Sequence, residues 1–311
     1  MEQIKAQEPT VAQPGDASAF NSAIETSPAR TAVAPQTTTP SCPTCAAAQA
    51  GGQAGLPSHV YVIGHIEPRF PLLSVEKEAW QAIKREADTA KDTDHQAMHK
   101  VLTDPNNRYL VRQLCWVLSV QGIETYILVP RDPLDYQLLV NAHRSEPKPG
   151  DLELVIGFRG PIANPSMCNA LMVHIVAFDQ IYSFDRESLL EALPSTEPDT
   201  KRFKAAAGEM FDRIMNQSDN AGATDADRAL NYLAVRYSQI YATAASEFAK
   251  NASFTSIDVL PSPLSGTRKI VDVVFAFTCR DTDVVSKHFV RVDVTEEFPF
   301  LVTKMSPYYD R

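Results

Sequence analysis

The 311-residue chain is 44% hydrophobic and 22% charged, ordinary proportions for a globular protein with length enough for one large core or two domains. Its formal net charge of −9 repels a phosphate backbone and excludes nucleic acid as an expected partner. No apolar run approaches the roughly 18 residues of a membrane span, the first residues lack the basic start and apolar stretch of a secretory signal, and the five cysteines suggest no disulfide framework, so the expected setting is cytoplasmic.

Residues 1–57 are rich in Ala, Pro, Thr, Gln and Gly with few large apolar side chains, the composition of a disordered tail. Folding is expected to begin at HVYVIGHI, where His59, Tyr61, Ile63 and His65 alternate with Val60, Val62 and Gly64 as the two faces of a strand. Ser74 offers a cap to a helix carrying Val75, Ala79 and Ile83 four apart. The segment RYLVRQLCWVLSV is apolar nearly all round from Tyr109 to Val120, which predicts a buried central helix with Trp116 in the core. Next come strand-like TYILV, then DPLDYQLLVNAH with Asp132 as cap and Pro133 at the first helical position, then LELVIGF, a β-α-β-like order. ALMVHIVAF predicts another strand, and Asp185 opens the short helix RESLLEAL.

STEPDT is the expected boundary between a first α+β domain over 58–195 and a second over 200–311. In the second, Phe203, Ala207, Met210, Phe211 and Ile214 stand at helical spacing, and Thr224 with Asp227 forms a capping box for DADRALNYLAVRYSQIYATAASEF. These two helices form a helical pair. Val271, Val273, Phe275 and Phe277 then alternate, as do Val290, Val292 and Val294 beyond CRDTD, which predicts an antiparallel hairpin, with FPFLVTKM as a further strand. The expected class is α+β, with mixed helices and sheets in two domains.

Among residues that carry chemistry, Cys42 and Cys45 in CPTC have the spacing at which two thiolates chelate one zinc ion, but they supply half of a tetrahedral site. His59 and His65 could complete it, or a second chain could add two more thiols in a homodimer; without metal the pair is a reduced or redox-active dithiol. His95 and His99 stand one helical turn apart near Asp94, yet Gln96 occupies the place of the glutamate in HExxH, so the expected role is a polar helix face. Arg131 and Arg159 each follow a predicted strand, in PRDP and GFRGPI, where a guanidinium could fork a carboxylate or phosphate, or else pair with Asp132, Asp135 or Asp179. Ser265, His288 and Asp293 would have to converge from alternate faces of a hairpin to act as a hydrolytic triad. DNAGATDAD lacks the alternating oxygens of a calcium loop and reads as a helix cap. Cys115 and Cys168 are expected as packed core thiols, and Tyr232, Tyr237 and Tyr241 as core side chains that could lend part of a docking surface.

The run HVYVIGHIEPRFP through NRYLVRQLCWVLSVQGIETYILVPRDP, GFRGPI, FDQIYSFD, DNAGATDADRALNYLAVRY, LSGTRKIVDVVFAF and VRVDVTEEFPFLVTKMSPYYDR resembles the paired C-terminal domains of the PatG family of cyanobactin maturation proteins, over residues 58–311. In that family a subtilisin-like protease precedes these domains and cleaves and macrocyclises ribosomal precursor peptides. The HGT-like and GTSMA-like settings of a subtilase are missing from this sequence, and Ser265-Gly266-Thr267 precedes a strand instead of opening a helix, so the resemblance does not carry protease activity. It implies a non-catalytic accessory or binding module that recruits precursor peptide or a processing enzyme, by strand addition at the C-terminal hairpin or in a groove between helices, with no cofactor required. The alternative is a peptide-modifying enzyme, assisted by zinc at Cys42 and Cys45.

Overall fold

A computed structural model describes residues 58–86, 91–193, 200–217 and 219–310. The first part opens with a long strand, β1 (Ser58–Arg69), followed by helices α1 (Leu73–Glu86), α2 (Asp94–Thr103) and α3 (Arg108–Gln113). Strands β2 (Cys115–Val120) and β3 (Ile123–Pro130), helix α4 (Tyr136–Ala142), and strands β4 (Asp151–Ile162) and β5 (His174–Asp185) complete it. Helices α5 (Arg186–Ala192), α6 (Thr200–Met215), α7 (Asp225–Arg236) and α8 (Gln239–Ala249) lead to strands β6 (Ala252–Pro261), β7 (Ile270–Cys279), β8 (Val285–Asp293) and β9 (Phe300–Pro307). The class is α+β in two parts, a closed barrel in the order β1-β2-β3-β5-β4 and an antiparallel sheet in the order β6-β7-β8-β9.

The barrel replaces the β-α-β layer expected from the sequence. Strand β1 closes it by pairing with β4 over Ser58–Gly64 and with β2 over His65–Arg69. Gly64 sits at that exchange, where a Cβ would stand 2.4 Å from the Ser119 carbonyl oxygen, so the strands could not approach with a side chain present. Only β3 and β5 run parallel, because β4 intervenes between them in sequence and pairs antiparallel to β5. Val60, Val62, Trp116, Leu118, Tyr126, Leu128, Val155, Val176 and Phe178 gather from all five strands into one core with α1, α3 and α4, as inward side chains of a small filled barrel do.

The helix expected over Tyr109–Val120 breaks at Leu114, whose ψ of 147° is extended. Periodicity cannot separate a buried helix from a strand buried on both faces, and β2 is buried at five of its six positions. The hairpin to β3 is a two-residue turn with Gln121 at φ 51° and Gly122 at φ 79°, the pair of positive values that a type I′ turn requires. The long helix expected from Asp225 likewise breaks at Tyr237, so the helical pair becomes α6, α7 and α8. The Thr224–Asp227 capping box forms as expected, and Asp132 and Asp185 accept the backbone amides of Leu134 and Ser188.

The hairpin β7–β8 forms, but neither strand is an edge, because β6, which the sequence reading leaves unassigned, pairs with β7 and β9 pairs with β8. Strand addition at that hairpin is therefore closed off. Cys115 and Cys168, expected as packed core thiols, are both buried and lie side by side with Cα atoms 5.8 Å apart. A separation of 53 residues hides this contact in sequence, and the turn after β4 creates it by folding back on β2. No helix among the described residues is long and apolar enough to cross a membrane.

Candidate functional site

Arg131 follows β3 directly, and its amide continues the parallel ladder by donating to the Phe178 carbonyl oxygen at 3.2 Å. Parallel pairing therefore places it beside Asp179 of β5, and its guanidinium donates to Asp179 Oδ1 at 2.6 Å. The same guanidinium lies 4.9 Å from the centre of the Phe158 ring, and His59 stands 4.7 Å from that ring. Arg159, next in β4, is exposed and has no ion-pair partner among the described residues. Side chains alternate faces along a strand, so the two arginines do not converge on one ligand.

Asp179 Oδ2 and Glu297 Oε1, the latter from the loop between β8 and β9, are both buried without a hydrogen-bond partner. Burial pushes the Glu297 carboxyl up, the neighbouring Asp179 pushes it further, and it reaches about 7. Burial acts upward on Asp179 too, but the neighbouring Glu297 and the hydrogen bond and charge of Arg131 outweigh it and hold Asp179 below the ordinary carboxylate range. Beneath the loop, Arg228 of α7 is 3% exposed and donates to the carbonyl oxygens of Val294 at 2.6 Å, of Glu296, and of Glu297 at 3.3 Å. Nothing in the sequence periodicity marks Glu297 or Arg228, which come together only through tertiary packing.

His95 and His99 lie on α2 as expected, facing His143 at the end of α4. The His95 and His143 rings lie 4.0 Å apart between centres, tilted by 34°, and His99 Nδ1 is bonded to the His143 carbonyl oxygen. No group of three or more His, Cys, Asp or Glu among the described residues is placed to hold a metal ion; Cys42 and Cys45 lie outside the described residues. A cavity of about 60 Å³ lined by His65, His95, His143, Asp151 and Glu153 adjoins this cluster. Burial pushes the Glu153 carboxyl up to about 7 and the His143 imidazole down to about 3.

Ser265, His288 and Asp293 each have other partners. Ser265 Oγ donates to the Ile270 carbonyl at 2.6 Å, His288 Nε2 faces Glu247 Oε1 at 3.2 Å, and Asp293 is paired with Arg268. Tyr241 is core, with its hydroxyl donating to Ala234 at 2.7 Å, whereas Tyr237 reaches the sheet edge, where its oxygen accepts from the Met305 amide at 3.0 Å. Tyr232 also reaches β9, at Leu301. These bonds engage part of the main chain of β9.

A groove of about 730 Å³ lies between α5 and α6. Its lining includes buried Leu190 and Gly208 and exposed Ala205 among charged side chains of both helices. Ion pairs join the two walls: Arg186 forks Asp212 at 2.9 and 2.6 Å, and Lys204 meets Glu191 at 3.1 Å.

Residues 59–251 match the family described as PatG Domain, and residues 197–308 match the family described as PatG C-terminal. A solved structure titled "PatG Domain of Unknown Function" aligns with a TM-score of 0.66 at 21% identity, covering 81% of this chain and 99% of that one. No curated protein matches the chain.

Proposed function

The chain belongs to the PatG Domain family, and from that premise we propose that it is a non-catalytic binding module in the maturation of ribosomally made peptides, recruiting a precursor peptide or its processing enzyme. The observation that carries this reading is the groove between α5 and α6, where Leu190, Ala205 and Gly208 lie among charged side chains of both signs. Peptide recognition in such a groove rests on a few apolar anchors and needs no reacting side chain. The separate engagement of Ser265, His288 and Asp293 supports the same reading. A fluorescently labelled cyanobactin-class precursor peptide, titrated against the full chain, should bind without change in peptide mass. Ala205→Trp, which adds bulk to the exposed lining of the groove, should weaken binding about tenfold or more, a loss of roughly 1.4 kcal/mol, while leaving the melting temperature in place. Cleavage or modification of the peptide would overturn the reading, as would undiminished binding by the groove variant.

A further inference from the structure

The end of α2, the helix α3 and the start of α4 enclose a cavity of about 300 Å³ on the barrel part, a volume at the low end of ligand pockets. Its base is the core itself, at Leu102, Val111 and Val140, each no more than 4% exposed. Its walls are apolar and open to solvent at Pro105, Pro133 and Leu134, and Leu134 is 81% exposed. Helix α3 supplies charge: Arg108 and Arg112 stand one turn apart, on the face that carries Val111. Both are exposed, and neither has a hydrogen-bond or ion-pair partner among the described residues.

Other polar groups of the lining are engaged. Thr103 Oγ1 donates to the His99 carbonyl at 2.7 Å, and Gln137 Nε2 donates to Asn141 Oδ1 at 3.0 Å. Asp104 Oδ1 accepts the Asn106 amide at 2.8 Å, which caps the turn Pro105–Asn107, while its Oδ2 has no partner among the described residues. Two guanidiniums, the Tyr136 hydroxyl and one oxygen of Asp104 are left unanswered, and two cations against one anion leave a positive excess in a chain of formal net charge −9. A fatty acid has no N–H for Asp104, and the ammonium of a free amino acid cancels the negative charge that the excess calls for. The last residue of a peptide answers every group: its carboxylate accepts from an arginine fork, its own amide N–H donates to Asp104, and an apolar side chain meets Leu134 and the prolines. We propose that this cavity docks the C-terminal residue of a peptide that ends in an apolar side chain and a free carboxylate.

Acetyl-Phe-Leu with a free carboxylate, titrated calorimetrically against the full chain, should bind, and its C-terminal amide should bind about tenfold more weakly or worse. Arg108→Gln combined with Arg112→Gln, and separately Leu134→Ser, should each weaken binding of the acid about tenfold. The melting temperature should stay in place in both, because all three side chains are exposed. Free leucine and octanoate should bind more weakly than the acid. No binding of the acid, equal binding of acid and amide, undiminished binding by either variant, or octanoate or leucine binding as tightly as the peptide would overturn the proposal. Ala205→Trp should leave this affinity unchanged, so the site and the groove between α5 and α6 fail separately; a loss in that variant would place the peptide in the groove and overturn the site.

Discussion

Arg228 shows how much one side chain can hold. A buried guanidinium that bonds three carbonyl oxygens of the β8–β9 loop cannot be shortened without leaving those groups unsatisfied, so Arg228→Met should cost roughly 2–4 kcal/mol in urea unfolding. A loss below about 0.5 kcal/mol would mean that water replaces the guanidinium without penalty. His143 carries a second residue-scale prediction, with pH as the variable. It is 5% exposed, and burial, then the neighbouring His95 and His99, lower it from 6.5 to about 3. A lowered folded value means that the unfolded chain binds the proton more tightly, so stability is fully present above 6.5 and is lost as pH falls toward 3. His143→Leu should flatten that acid limb in a series of urea midpoints, and an unchanged slope would assign it to carboxylates instead.

Between elements, the segment from Asn220 to Thr224 joins α7 to β1. Gly222 has φ 67°, its carbonyl accepts the Tyr61 amide at 2.9 Å, and an added Cβ would stand 2.5 Å from Val62 Cβ. Gly222→Ala should therefore cost more than the roughly 1–2 kcal/mol of a left-handed residue alone, whereas Thr224→Ala, which removes only the capping box, should cost about 1 kcal/mol. Thermal melts of the pair would separate the joint from the cap, and equal losses would deny Gly222 a packing role. The cap was legible in sequence because the partners of Thr224 and Asp227 are local; the joint was not, because what Gly222 touches lies on β1. The same division explains the rest: hairpin β7–β8 followed from alternation, while β2 was masked by burial on both faces and Glu297 by the distance in sequence to Asp179. Of the predicted site residues, Arg131 reached one of its expected acidic neighbours because both flank adjacent strand ends, and Arg159 remained exposed on the other face of β4.

At the scale of the molecule, the barrel and the C-terminal sheet share a core. Tyr61 and Ile63 of β1, Leu154 and Ile156 of β4 and Phe184 of β5 pack in the same cluster as Phe203, Met210 and Phe211 of α6 and as Val273, Phe275, Val290 and Val292 of the sheet. The two family matches overlap over 197–251, the stretch that supplies α6, α7 and α8 to both parts. Helices that bury one side against the barrel strands and the other against β7 and β8 make each part the missing wall of the other, and such a core melts as a unit. Both tryptophans, Trp80 and Trp116, lie in the barrel part, and Trp116 is buried there, so fluorescence reports that part. Phe211→Ala, in α6, should destabilise by roughly 3–5 kcal/mol and move the urea midpoint seen by tryptophan fluorescence as far as the midpoint seen by circular dichroism. A fluorescence transition left in place while the dichroism shifts would mean that the barrel stands alone and the shared core adds nothing to its stability.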